Sequence, residues 1–152
     1  LIAISSLLLL VISAILISQA AIESAIFGRA AEVAQPEELE NLDKMITNDF
    51  EKWTEAKTDT DKSEIYRHHN RNFHTGVHTV ARSTIMTDIS YPLWDRMDFY
   101  ITVAIGAHSF APRLPDAFEE HRKILVAISS KDVNKVRRLT EEHVQSFINE
   151  IS

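Results

Sequence analysis

The sequence predicts an all-α protein, an antiparallel bundle of six or seven helices. Only 3 glycines and 4 prolines interrupt its 152 residues, so long continuous helices are possible. Apolar residues recur at spacings of three and four, whereas the alternation typical of strands is scarce. With 45% hydrophobic and 25% charged residues, the chain has the composition and the length of one globular domain with a buried core.

The charge and the residue types exclude several classes of function. The net charge of −6 gives no basic surface of the kind that neutralises phosphates, so we do not expect these residues to bind nucleic acid directly. The absence of cysteine excludes disulfides, thiolate metal ligands and cysteine nucleophiles. Such a chain suits a reducing compartment, and we expect a cytoplasmic location.

The first predicted helix is apolar enough to raise the question of a membrane segment. Residues 1–22 carry no charge and are long enough to span a bilayer. However, polar residues between Ser5 and Ser24 fall within one broad arc at 100° per residue, and no basic cluster precedes them. We therefore predict a buried or dimer-forming helix that ends near Val33, with no membrane contact. In this organisation, residues 1–18 are an apolar helical extension and residues 19–152 form the domain.

Start signals and apolar spacing place the next two helices. Gln35, Pro36 and the two glutamates after them are typical of a helix start, because proline suits the first turn and acids suit the positive end of the dipole. The second helix should bury the apolar positions Leu39, Leu42, Ile46, Phe50 and Trp53. A residue among 59–61 is expected to cap a third helix that runs from about Ser63 to Ala81.

The later helices follow from similar signals. A fourth helical segment begins near Ser83, and Pro92, which has no amide proton to donate, is expected to kink or split it. Residues 106–115 are predicted to form a loop that leads into a fifth helix. Asp132 is expected to cap the last helix, which covers residues 133–151.

Four side chains on three predicted helices form a candidate metal site. Asn70 and His74 lie four residues apart, so they can present an amide oxygen and an imidazole to one point. His121 and His143 lie on two later helices and could complete the shell. Imidazole suits zinc, nickel, iron or copper, and an amide oxygen also suits harder ions. Four protein ligands close a tetrahedron, so an open position implies five- or six-coordination.

Spacing alone leaves other interpretations open. A histidine on an apolar helix face is more often a hydrogen-bonded core residue than a metal ligand. His78 lies four residues after His74, so these two form as good a pair as Asn70 and His74. His68 and His69 are expected to face solvent.

The histidine motifs resemble those of a known family, the C-terminal effector-binding domain (FCD) of FadR-type GntR transcription regulators. The residues that carry the resemblance are, in order, Asn70, Phe73, His74, Glu120, His121, the apolar run ILVAI, Lys131, Asp132 and His143. The similarity covers about residues 19–151. It implies an all-α antiparallel bundle and a divalent metal ion, zinc or nickel, held by Asn70, His74, His121 and His143.

The same resemblance implies a regulatory function. Such a domain would bind a small carboxylate effector, form a homodimer, and control DNA binding through a winged helix-turn-helix domain that is not among these residues.

The sequence departs from the family pattern in two places. Asn70 stands where aspartate is commoner, and a neutral amide binds a dication more weakly while leaving more charge for an anionic effector. Arg82 and Ser83 stand where the family usually has Gly-Asn.

Candidate effector contacts are few. Arg96 could pair bidentately with a carboxylate ligand, and the alternative is an exposed arginine paired with Asp95 or Asp98. Trp94 and Tyr100 could line the ligand cavity or belong to the core.

The sequence is compatible with three functions, of which we favour the sensor domain. The second is a metal-dependent enzyme on the same ligands, because metal-bound water can act as a nucleophile near neutral pH. No carboxylate is marked as its general base, since Glu120 and Glu142 point about 100° away from the neighbouring histidines on a helix. The third is a membrane-tethered helical protein, which would use residues 1–22.

Overall fold

The chain forms six α-helices, and the fold contains no strand in the residues that the computed structural model describes, 6–105 and 114–151. The helices are α1 (Ser6–Val33), α2 (Pro36–Glu55), α3 (Asp59–Ala81), α4 (Thr84–Ile105), α5 (Leu114–Ser129) and α6 (Val133–Ile151). Apart from the segment before α5, two or three residues connect consecutive helices, which favours antiparallel neighbours. The predicted all-α bundle is confirmed.

Local start signals account for most helix boundaries. Helix α2 begins at Pro36, as predicted. Helix α3 begins four residues earlier than expected, because its N-cap is Thr58, whose Oγ1 accepts a hydrogen bond from the amide of Asp61 at 3.1 Å. The prediction that one of the three following residues caps this helix was therefore wrong. Asp132 caps α6 as expected, since its Oδ1 accepts from the amide of Lys135 at 3.0 Å.

Helix α4 continues through Pro92, so the expected split does not occur. The turn before it uses Arg82, which has a φ of 53° and ends α3 in the left-handed conformation that usually favours glycine. The guanidinium of Arg82 donates to Glu38 Oε1 at 2.6 Å and to the carbonyl of Val80 at 2.8 Å, and these bonds hold the turn. Residues 106–113 of the predicted loop lie outside the described part of the chain.

Helix α1 is the central helix, because it packs against α3, α4, α5 and α6. Packing against four helices favours apolar residues on several faces of α1, although Leu10 and Ile17 are exposed. By length and composition the segment Leu10–Val33 could cross a membrane, but core helices of soluble proteins share that composition. Helix α1 ends at Val33 as predicted. It runs without a break through residues 18 and 19, and the domain boundary expected between these two residues stays a prediction.

A polar layer crosses the bundle between two apolar cores. The larger core contains Phe27, Phe73, Phe118, Ile46 and Ile128 among others, and the smaller one contains Ile12, Leu16, Trp94, Met97 and Val144. Buried polar residues lie between the two sets along three helices: Gln19 and Glu23 on α1, Ser90 on α4, and Thr140 and His143 on α6. This layer holds the candidate metal site.

Candidate metal centre

Three histidines from three helices meet inside the polar layer. They are His74 on α3, His121 on α5 and His143 on α6, and one ligand nitrogen from each lies within 4.8 Å of the others. Their exposed fractions are 1%, 0% and 7%. Three imidazoles so close together and so well shielded from water form the kind of group that binds a divalent transition metal ion.

A hydrogen-bond partner holds the Nδ1 atom of each of these rings. The contacts are Glu23 Oε2 at 2.8 Å for His74, His69 Nε2 at 2.9 Å for His121, and Glu120 Oε2 at 2.6 Å for His143. Metal-binding histidines commonly donate their second ring nitrogen in this way, which fixes the orientation of the ring. The arrangement therefore commits all three Nδ1 atoms and leaves the three Nε2 atoms available to an ion.

The positions of the protons follow from these contacts. An ionised carboxylate only accepts hydrogen bonds, so His74 and His143 carry their protons on Nδ1. The Nδ1 of His69 lies 3.2 Å from Asp49 Oδ2 and donates to it, which leaves the Nε2 of His69 as an acceptor. His121 must then donate from its own Nδ1. All three Nε2 atoms consequently carry lone pairs in the neutral rings.

Two of these lone pairs face each other at short range. The Nε2 atoms of His121 and His143 are 3.2 Å apart, and the proton assignment places no hydrogen between them. Two lone pairs at this distance repel unless a cation lies between them. Two nitrogens bound side by side to one ion at about 2.1 Å would be separated by about 3.0 to 3.4 Å, which matches. The residues therefore fit a divalent metal ion.

Asn70 supplies a candidate oxygen ligand one turn before His74. Its Oδ1 is buried and has no hydrogen-bond partner among the residues that the structure describes, and the same holds for the Nε2 of His74. A buried acceptor without a donor costs free energy that a bound cation would recover. Asn70 thus fits the role of fourth ligand.

Glu23 on α1 connects the histidines to the rest of the polar layer. Its carboxylate is fully buried and accepts hydrogen bonds from Gln19, His74, His78, Ser90 and Trp94. Burial by itself raises the pKa of this carboxyl, but the hydrogen bonds from the two imidazoles outweigh burial and hold the pKa well below its usual value. Glu23 is therefore ionised and orients His74.

The family of the chain follows from a comparison with protein-family models. The model of the FCD domain family matches residues 15–146, which is most of the chain. This chain belongs to the FCD family. These domains are parts of GntR-type transcription regulators rather than enzymes.

A solved structure shows the same fold as this FCD domain. The chain is similar to E. coli McbR/YncC with a TM-score of 0.70 and 22% sequence identity, and the match covers 91% of this chain. It covers 63% of the McbR/YncC chain, so this FCD domain spans less than two thirds of the length of that protein. None of the curated proteins matches the sequence.

The structure also distinguishes the two candidate ligand pairs on α3 of the FCD domain, which are Asn70 with His74 and His74 with His78. His78 donates from Nε2 to Glu23 Oε1 at 2.9 Å and is not in the group of three converging histidines. It shares Glu23 with His74 instead of sharing an ion with it. His78 is thus directed to Glu23, which leaves Asn70 as the candidate partner of His74 at the site.

The structure contradicts the prediction made for His69. The sequence predicted that it faces solvent, yet it is completely buried between Asp49 and His121, whereas His68 is exposed as expected. The reason is the helical phase, since His69 lies four residues before the buried Phe73. The burial of Asp49 could have been predicted in the same way, because Asp49 follows the core residue Ile46 by three positions on α2.

Glu120 and Glu23 were missed as partners of the histidines. Glu120 does point away from its neighbour His121, but in doing so it reaches His143 on the next helix. Glu23 could have been suspected, because a carboxylate four residues after Gln19 interrupts an otherwise apolar helix. In both cases the contact joins different helices, which spacing within one helix cannot indicate.

Arg96, the predicted effector contact, is exposed on α4. Arg71 on α3 takes the nearby carboxylates, since its guanidinium lies 3.1 Å from Asp95 and 3.4 Å from Asp98. The same guanidinium lies 5.7 Å from the centre of the Trp94 ring. Trp94 is buried in the smaller apolar core, which was one of the two alternatives predicted for it. The side chain of Tyr100 lies outside the described part of the chain.

The buried histidines make the metal-free FCD domain sensitive to acid. Burial lowers the pKa of His74 to about 4 against the effect of Glu23, and burial lowers the pKa of His69 to about 4 against the effect of Asp49. The unfolded chain keeps pKa values near 6.5 at both sites. Between pH 6.5 and 4 the unfolded state therefore binds protons that the folded state does not, and stability falls as the pH falls through this window.

We expect the free energy of unfolding of the chelator-treated protein to be roughly 2 to 4 kcal/mol lower at pH 5 than at pH 7. Urea unfolding at the two pH values measures this difference. A His68→Ala variant, which removes an exposed histidine, should show the same pH dependence. Equal unfolding midpoints at both pH values would contradict the burial of neutral imidazoles.

Proposed function

We propose that this chain is the effector-sensing domain of a GntR-type transcription regulator that holds a divalent metal ion and binds a small carboxylate at that ion. The family supports the sensing role. The metal ligands in this proposal are Asn70, His74, His121 and His143. The observation that carries it is the 3.2 Å distance between the Nε2 atoms of His121 and His143 inside a buried site, where the hydrogen bonds at both Nδ1 atoms favour unprotonated Nε2 atoms.

The charge distribution favours an anionic effector. Neutral imidazoles and a neutral amide leave the full charge of a dication uncompensated in its first coordination shell. The nearest carboxylates, Glu23 and Glu120, contact ring protons of the histidines and so lie on the far side of the rings. The ion would supply a positive charge and open coordination positions, and a carboxylate is the natural partner of both.

The ligand types favour zinc or nickel. Imidazole nitrogen binds both ions well, and both tolerate a coordination number above four, which an additional effector oxygen requires. An amide oxygen in place of a carboxylate makes the site weaker for hard ions such as magnesium, because these depend on charged oxygen ligands.

The regulatory step would act through a second domain. We propose that the chain forms a homodimer in the cytoplasm, and that DNA binding belongs to a separate domain of the regulator. Effector binding would change DNA affinity only if it stabilises one arrangement of the two subunits more than the other.

Calorimetry with acetate, lactate and citrate tests the proposal. Each acid should be added to protein loaded with one equivalent of Zn²⁺ or Ni²⁺ and to protein treated with a chelator. We expect at least one acid to bind the loaded protein and none to bind the metal-free protein. If no acid binds in either state, or if binding is equal in both, a carboxylate bound at the metal is excluded.

The same measurement compares two candidate arginines. Arg96 stays a prediction as an effector contact, and Arg71 is a second candidate because it lies over Trp94, whose ring is 4.7 Å from that of His74. We expect Arg71→Ala to weaken carboxylate binding more than Arg96→Ala, because Arg71 is the less exposed and lies over Trp94, which contacts His74. The reverse order would assign the contact to Arg96.

A further inference from the structure

We propose that Asp49 and His69 are positioning residues of the metal site, which hold His121 in the tautomer that presents Nε2 to the ion. The inference rests on the metal site proposed above. It assigns a role to a buried acid and a buried histidine that are not themselves ligands.

The two residues form a chain of hydrogen bonds across three helices. Asp49 on α2 is 5% exposed, and His69 on α3 and His121 on α5 are completely buried. Asp49 Oδ2 lies 3.2 Å from His69 Nδ1, and His69 Nε2 lies 2.9 Å from His121 Nδ1. Because Asp49 accepts a hydrogen bond from the Nδ1–H of His69, the Nε2 of the neutral His69 ring can only accept, and His121 must keep its proton on Nδ1.

The opposite tautomer of His121 would block the site. A proton on its Nε2 would point at the Nε2 of His143, which is 3.2 Å away, and would occupy the place of the ion. His69 offers an acceptor on the far side of the ring and so favours the open tautomer. Ring packing supports the alignment, since His69 lies 4.2 Å from Phe118 and His121 stacks on Phe73 at 4.1 Å between ring centroids.

Two substitutions of nearly equal size separate this role from simple packing. In His69→Gln the amide group occupies the place of Nε2 and can still accept from His121. In His69→Asn the amide occupies the place of Nδ1, so it can contact Asp49 but cannot reach His121. A purely structural role predicts similar losses in both variants, whereas a positioning role predicts a difference.

Zn²⁺ affinity, measured by competition with a zinc-binding dye, reads out that difference. We expect His69→Asn to lower the affinity by about 10- to 100-fold and His69→Gln to stay within about threefold of the parent protein. Melting temperatures of the metal-free variants control for folding. Equal losses in both variants, or no loss in either, would overturn the proposal.

Nitrogen NMR of the metal-free parent protein tests the tautomer directly and does not depend on metal binding. We expect the ring protons of both His69 and His121 on Nδ1. A proton on Nε2 of His121 would overturn the positioning role even if Zn²⁺ binds. If the tautomers are as expected but Zn²⁺ does not bind the parent protein, the proposed metal site is wrong. Asp49 and His69 would then orient His121 without any role in metal binding.

Discussion

Replacing His121 with alanine is expected to abolish stoichiometric metal binding. In the proposed site His121 supplies a nitrogen, Nε2, which lies 3.2 Å from the Nε2 of His143. In the parent protein, free metal at about 100 times the Kd should stabilise the fold by about 2.7 kcal/mol, which raises the Tm by about 5 to 10 °C for a domain of this size. The variant should lose this shift. Elemental analysis and thermal melts with and without metal measure both quantities.

His68→Ala is the matched control for this experiment. His68 lies on α3 beside the buried His69 but is exposed, so the variant should keep the metal content and the Tm shift of the parent protein. A His121→Ala protein that still binds one ion with the parent affinity would place the metal elsewhere and would remove the main support for the sensor model.

Replacing Glu23 with glutamine is expected to cause the largest loss of stability among single isosteric changes in the polar layer. The glutamine amide must turn its NH₂ group toward donors that now contact the carboxylate: Gln19, His74, His78, Ser90 or Trp94. Buried donors would face a donor and lose their partner. We expect the free energy of unfolding to fall by about 3 kcal/mol and the Tm by about 6 to 12 °C, measured on chelator-treated protein.

Glu32→Gln on the same helix provides the control. Glu32 forms an exposed ion pair with Arg29, and its side chain is 47% exposed, so its loss should cost less than about 1 kcal/mol. Similar stabilities of the two variants would show that the buried hydrogen bonds of Glu23 contribute little to folding. Metal affinity of the Glu23 variant should also fall, because Glu23 orients the ring of His74.

Helix boundaries could be predicted because their causes are local. Pro36 at the start of α2 and Asp132 before α6 act within one helical turn, and the apolar spacing of α6 lies within one helix. The error at the start of α3 was small for the same reason, since the competing caps, Thr58 and its three neighbours, adjoin each other in the sequence.

The histidines themselves could be nominated from the sequence, but their surroundings could not. The resemblance pointed to His74, His121 and His143, and the structure brings these three together. Metal binding by them stays a prediction. The buried state of His69 went against expectation, because two adjacent histidines look alike by themselves and only their helical phase relative to Phe73 indicates that His69 faces the core.

The sequence by itself determined the fold class, the approximate helix ends and the residue types available for a metal ion, since periodicity, capping and ligand chemistry are properties of short segments. The tertiary structure alone decided that Glu23, Glu120 and His69 hold the three histidines. These contacts join residues 51, 23 and 52 positions apart on different helices. Their geometry depends on how α1, α3, α5 and α6 pack, and no local pattern contains that information.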